Sequence, residues 1–105
     1  MIPSTLKIGG HNIKVIYPYN FKERSDTNGQ YDKNLCEIRI AGVDTCGNTI
    51  VESELWVTLL HEILHAIDYV SGHRMFCGED GEAKIEGLSE GLYQVLNDNG
   101  LLKRG

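Results

Sequence analysis

Near its centre the chain carries His61-Glu62-Ile63-Leu64-His65, inside the run Leu55 to Tyr69. Read as one helix, four residues advance the chain by about 400°, so His61 and His65 stand one turn apart on the same face, their bases about 6 Å apart. Two imidazoles at that spacing can close on one metal ion. Glu62 lies about 100° round from His61, where it can reach a water on that ion without ligating it, the position of a general base. Leu60, Ile63, Leu64 and Ile67 recur at three- and four-residue spacing, so the metal face is expected to be recessed into a core. The plainer account is an amphipathic helix whose imidazoles meet core carbonyls. It would bury a charged Glu in an apolar run with no partner, which proteins seldom do.

Two His are too few, because catalytic zinc takes three protein ligands and keeps a fourth position for water. Glu82, Glu86 and Glu90 follow at four-residue steps. If the next helix turns back antiparallel from near Asp80, it regains the level of the metal close to Glu86, which is the first choice. Glu82 comes second, since a carboxylate in a first turn already complements the helix dipole. Glu90 comes third and is most simply solvated. Asp68 can orient an imidazole from behind, as ligating His require, or be surface charge. His73 and Cys77 are a ligand pair only if the site is structural. His11 reads as a polar turn residue, and Tyr69, His73, Arg74 and Tyr93 are unranked candidates to stabilise an oxyanion.

The elements that must hold these groups follow from pattern. Thr5–Ile8 and Asn12–Tyr17 alternate in character around Gly9-Gly10-His11 and predict a β-hairpin, ended by Pro18-Tyr19-Asn20. Phe21 to Gly29 reads as a loop, Tyr31 as the start of a strand, and Asp32-Lys33-Asn34 as a turn. Leu35–Ile40 alternates as a half-buried strand should. Beside the metal cleft such a strand is either interior or open to an extended peptide by β-augmentation. Thr49 with Glu52 fits a capping box and Ser53 is a second N-cap candidate, so the first helix starts before Leu55 and stops at Gly72. Asp80 caps a second helix, Glu82 to about Asp98, with Ile85, Leu88, Leu92, Val95 and Leu96 as its buried stripe. Leu101 to Gly105 is a short tail.

At 105 residues the chain is expected to form one domain, residues 1–105, with a single core. The N-terminus has no basic start followed by a long apolar core, and no apolar run approaches a membrane span. Three widely spaced cysteines, Cys36, Cys46 and Cys77, argue against a disulfide framework and for a reducing, cytoplasmic setting. A net charge of −5 with dispersed basic residues disfavours nucleic acid as a partner.

His61-Glu62-Ile63-Leu64-His65-Ala66-Ile67-Asp68-Tyr69, with an acidic helix after it, resembles the gluzincin metallopeptidases, whose third zinc ligand is a Glu. Glu86-Gly87-Leu88-Ser89-Glu90 is similar to the Glu-x-x-x-Asp of that group, in which the first acid ligates zinc and the second holds a ligating His; here Glu90 stands in place of Asp. The compact size, the N-terminal hairpin and the ending Leu88 to Asn99 resemble small metallopeptidase-like proteins of bacteriophage and mobile elements, related to the ImmA/IrrE zincin core. The resemblance covers about residues 50–99 in its motifs and the N-terminal half in architecture alone. It implies an α+β zincin-like fold, a small sheet beside an active-site helix and a ligand-bearing helix.

The expectation is a zinc-dependent metallopeptidase. Zn2+ held by His61, His65 and Glu86 would activate water, and Glu62 would act as general base toward a peptide or protein substrate, a single regulator protein among the options. The alternative is a metal-stabilised protein-binding or regulatory module with little turnover, since so short a chain leaves little room for a substrate lobe.

Overall fold

The computed structural model describes residues 2–21 and 28–102. Residues 22–27 of the expected Phe21–Gly29 loop, and 103–105 of the tail, lie outside the described residues. The rest is α+β, four strands in one mixed sheet with two helices. In chain order these are β1 (Thr5–Ile8), β2 (His11–Tyr19), β3 (Gly29–Asp32), β4 (Glu37–Ala41), α1 (Glu52–Ser71) and α2 (Gly81–Asp98).

The β1–β2 hairpin forms as expected, antiparallel, with Gly9 and Gly10 at φ 55° and 84° in the two-residue turn. β2 runs further than Tyr17. It continues through a cis Tyr17–Pro18 bond to Tyr19, and its pairing to β4 shifts register between Ile16 and Tyr19. Proline has no N–H to give a ladder, so it falls where the ladder is interrupted.

The sheet order is β1-β2-β4-β3. After β2 the chain passes over to the far edge, lays down β3, and returns by a hairpin as β4, parallel to β2 and antiparallel to β3. Asp32 sets that hairpin, its Oδ1 accepting from the N–H groups of Asn34 and Leu35 at 3.0 and 3.1 Å. β4 is therefore interior, and the expected option of peptide augmentation on it is closed. Among the described residues the outer strands are β1 and β3, both against α1.

One face of the sheet is apolar. Ile13 and Val15 on β2 and Ile38 and Ile40 on β4 alternate inward and meet Leu55, Trp56, Leu59 and Ala66 of α1. α1 packs on β1, β4 and β3, and α2 packs on α1. The N-cap of α1 is neither Thr49 nor Ser53. Val51 occupies the N-cap of α1 with no side-chain cap, and Glu52 and Glu54 complement the dipole in the first turn. The C-terminal stop is as read, with Gly72 at φ 75° and its N–H on the Tyr69 carbonyl.

α2 differs from the expected stripe. Ile85 and Ser89 are fully buried, whereas Leu88, Leu92 and Val95 are 53, 38 and 47 % exposed. Among the described elements α2 packs on α1, which buries the line Gly81-Ile85-Ser89; Tyr93 and Leu96 are half-buried, and Ser89 meets its own polar need by donating to the Ile85 carbonyl at 2.6 Å. Asp80 precedes α2, as read, but makes an ion pair with Lys84 at 3.2 Å rather than a side-chain cap. No helix among the described residues is long and apolar enough to cross a membrane.

Candidate metal centre

α1 delivers His61 and His65 to one side of a cleft of about 870 Å³, their ring centroids 5.0 Å apart. The opposite wall is the first turn and a half of α2. Glu82 bridges the two rings. Its Oε2 lies 3.0 Å from His61 Nε2, and its Oε1 lies 2.8 Å from His65 Nε2. Glu86, one turn on, reaches the other nitrogen of the first ring, with Oε2 3.1 Å from His61 Nδ1.

The set that can hold a metal is thus His61, His65 and Glu82, whose ligand atoms all lie within 4.8 Å of one another. Arms of about 2.0–2.1 Å in tetrahedral array put ligand atoms about 3.3 Å apart, close to the N···O separations seen here. The proton count points the same way. A neutral imidazole donates from one ring nitrogen only, yet His61 has a carboxylate at each. If its Nδ1–H faces Glu86, the contact between Nε2 and Glu82 calls for a further proton or a cation between them. The residues present fit a divalent ion with imidazole and carboxylate ligands.

Sequence spacing ranked Glu86 ahead of Glu82; the geometry brings Glu82 to both rings and Glu86 to one. The reason lies in the connection between the helices. Asp68, buried on α1, accepts from the backbone N–H groups of Met75 and Phe76 at 2.6 and 3.1 Å and folds the loop back on the helix. Gly81 then packs against the Phe76 carbonyl, where a Cβ would collide. α2 consequently starts beside the His pair instead of a turn beyond it. Glu90 is exposed, as its solvated reading held. Asp68 braces the loop and orients neither imidazole among its hydrogen bonds.

Glu62 is buried, 7 % exposed, on the floor of the cleft. Burial pushes its carboxyl up to about 8, the nearby charges of Glu82 and Glu86 push the same way, and a hydrogen bond from the Tyr31 backbone N–H opposes them. β3 lies against it because residue 29 has no side chain. A Cβ on Gly29 would sit 2.6 Å from Thr58 Cγ2 and 3.1 Å from Glu62 Oε2.

Gly29 and Tyr31 were not singled out as site residues from sequence. Asn28-Gly29 carries an ordinary turn signature, and nothing local marks it as a close approach. Burial raises the Tyr31 phenol above its ordinary value, with Cys36, Tyr69 and Asp32 adding to the shift, so the hydroxyl stays protonated in the cleft wall. Of the unranked oxyanion candidates, Tyr69 and Arg74 line the cleft; Cys77 does too, and its thiol donates to the Arg74 carbonyl at 3.0 Å. His11 lies exposed at the hairpin turn.

Fold and site together define a small α+β protein with a candidate metal centre between two helices under a sheet edge. No family model matches the chain, and neither a curated protein nor a solved structure is similar enough to it to identify a relative.

Proposed function

We propose that the protein is a zinc-dependent peptidase of minimal zincin type, with His61, His65 and Glu82 as metal ligands and Glu62 as general base. The observation that carries the reading is the meeting of both His Nε2 atoms on one carboxylate, with a second, buried carboxylate beside them under an outer strand. Zinc bound there supplies Lewis acidity and lowers the pKa of a coordinated water to about neutral.

The chain's own residues supply the rest. Glu86 holds His61 through Nδ1 and so fixes which nitrogen faces the ion. Burial and the charges of Glu82 and Glu86 hold the Glu62 carboxyl up in the metal-free chain; a cation bound beside it would favour the carboxylate, which would then accept the proton of the attacking water and return it to the leaving amine. β3 is an outer strand at the cleft, where an extended peptide can align on backbone groups other than the Tyr31 N–H, which Glu62 already takes. Tyr31, whose phenol burial keeps protonated, lines the same cleft.

A second reading has its own observation in support. Leu88, Leu92 and Val95 form an uncovered apolar flank on α2, as a protein-binding module stabilised by metal would need. The Glu62→Gln variant separates the two. The peptidase reading expects it to keep one zinc per chain and lose cleavage of a random peptide pool. Cleavage undiminished in that variant overturns the base assignment. A wild-type protein that unfolds on metal removal and cleaves nothing favours the binding module.

A further inference from the structure

Two cations in the cleft wall make no salt bridge with any described residue. Among the described residues Arg39 and Lys84 are held in salt bridges, whereas Lys33 and Arg74 are in none. Both line the same cleft as His61 and His65. Lys33, in the β3–β4 turn, lies over the Tyr69 ring with Nζ 5.1 Å from its centroid. Arg74 comes from the opposite side, out of the loop between the helices.

The fold goes to some length to present Arg74. Its backbone is left-handed, φ 58°, which a residue with a side chain seldom adopts. The segment that follows is clamped by Asp68, and the Arg74 carbonyl is capped by the Cys77 thiol. The positions along α1 set the distance. Tyr69 is one helical turn, about 5.4 Å, beyond His65, and an extended peptide covers about 3.3 Å per residue.

We propose that Lys33 and Arg74 form a carboxylate-binding subsite that selects peptides carrying an acidic group one or two residues from the bond held at the metal. This rests on the peptidase reading and names its substrate class. The carboxylate comes from an Asp or Glu side chain or from the peptide's own C-terminus. Arg74 can grip it through two parallel N–H donors, and Lys33, kept in place over Tyr69, adds a point charge.

The test measures binding, so it does not depend on turnover. Zinc-loaded full-length Glu62→Gln protein is titrated, by fluorescence polarisation, with octapeptide pools in which each position in turn is fixed as Glu, Gln or Lys. Each pool is made with a free and with an amidated C-terminus. The Glu pools at one or two positions, or the free-acid pools, should bind about fivefold tighter than their neutral counterparts, the strength of one partly exposed ion pair. Adding Lys33→Gln and Arg74→Gln should remove that preference, and Arg74→Lys should retain part of it. Equal binding of Glu and Gln pools together with equal binding of free-acid and amidated pools, or a preference that survives in the double variant, overturns the subsite and leaves the peptidase reading standing. Binding of no pool, with or without zinc, overturns both.

Discussion

Gly29 sits so close over Glu62 that a Cβ there would lie 3.1 Å from the carboxylate Oε2. The sheet edge and the proposed base are held in contact by the absence of a side chain. Gly29→Ala drives the new methyl toward Thr58 Cγ2, at 2.6 Å, and should cost about 1–3 kcal/mol of stability, as overpacking does. Urea unfolding measures it. Thr58→Ser removes the opposing methyl and should restore most of the loss in the double variant; no recovery would mean the clash is not the cause.

Glu82 and Glu86 should separate in zinc affinity. Glu86→Gln leaves the three ligands and replaces the charged acceptor at His61 Nδ1 by a neutral one; disturbing such a partner typically weakens a site by about 10–100-fold. Glu82→Gln removes a ligand and should weaken it by more, while Glu90→Gln should change nothing. Competition against a chelating dye ranks the three variants, and a larger loss from Glu86→Gln than from Glu82→Gln would restore the order that spacing alone suggested.

The metal-free protein should lose stability as pH rises. The Glu62 carboxyl stands at about 8 in the folded chain, against an ordinary value near 4.5. The folded state thus holds a proton that the unfolded chain gives up between those values. Its contribution is complete below about 4.5 and is lost as pH climbs through about 8. Thermal melting of metal-free protein should fall between those limits, and Glu62→Gln should flatten the profile. A wild-type profile as flat as that of the variant would rule out a protonated, buried Glu62.

Much of this was legible before any coordinates. The helical spacing of His61 and His65, the stop at Gly72 and the Gly9-Gly10 hairpin are local features, and local features survive into the fold. The choice between Glu82 and Glu86 was not local. It depends on Asp68 gripping Met75 and Phe76, a contact that sets where α2 begins and leaves no trace in residue spacing. β3 was only half seen, since Gly29-Gln30-Tyr31-Asp32 has too few apolar positions to alternate, and its place comes from pairing with β4. The stripe on α2 was over-read because periodicity counts apolar residues but not the neighbours available to cover them; α1 covers Ile85 and leaves Leu88 and Val95 outside.

Asp68 should matter for stability as well as for the site. Its carboxylate is buried and takes two backbone N–H groups, and hydrogen bonds to a charged group contribute about 1.5–3 kcal/mol each. Asp68→Ala should therefore lower stability by about 2–4 kcal/mol and weaken zinc binding, because the start of α2 is no longer held beside the His pair. Chemical denaturation and dye competition on one preparation measure both. Lower stability with zinc affinity unchanged would separate the loop from the positioning of Glu82.

The most direct measurement is zinc per chain, by elemental analysis after exhaustive dialysis of zinc-loaded wild type, His61→Ala, His65→Ala and Glu62→Gln. One equivalent in the wild type and in Glu62→Gln, and none in either His variant, is the result expected of two imidazoles and Glu82 closing on one ion beside a carboxylate that does not ligate it. A wild type that retains no zinc, or His variants that retain as much as the wild type, would contradict it.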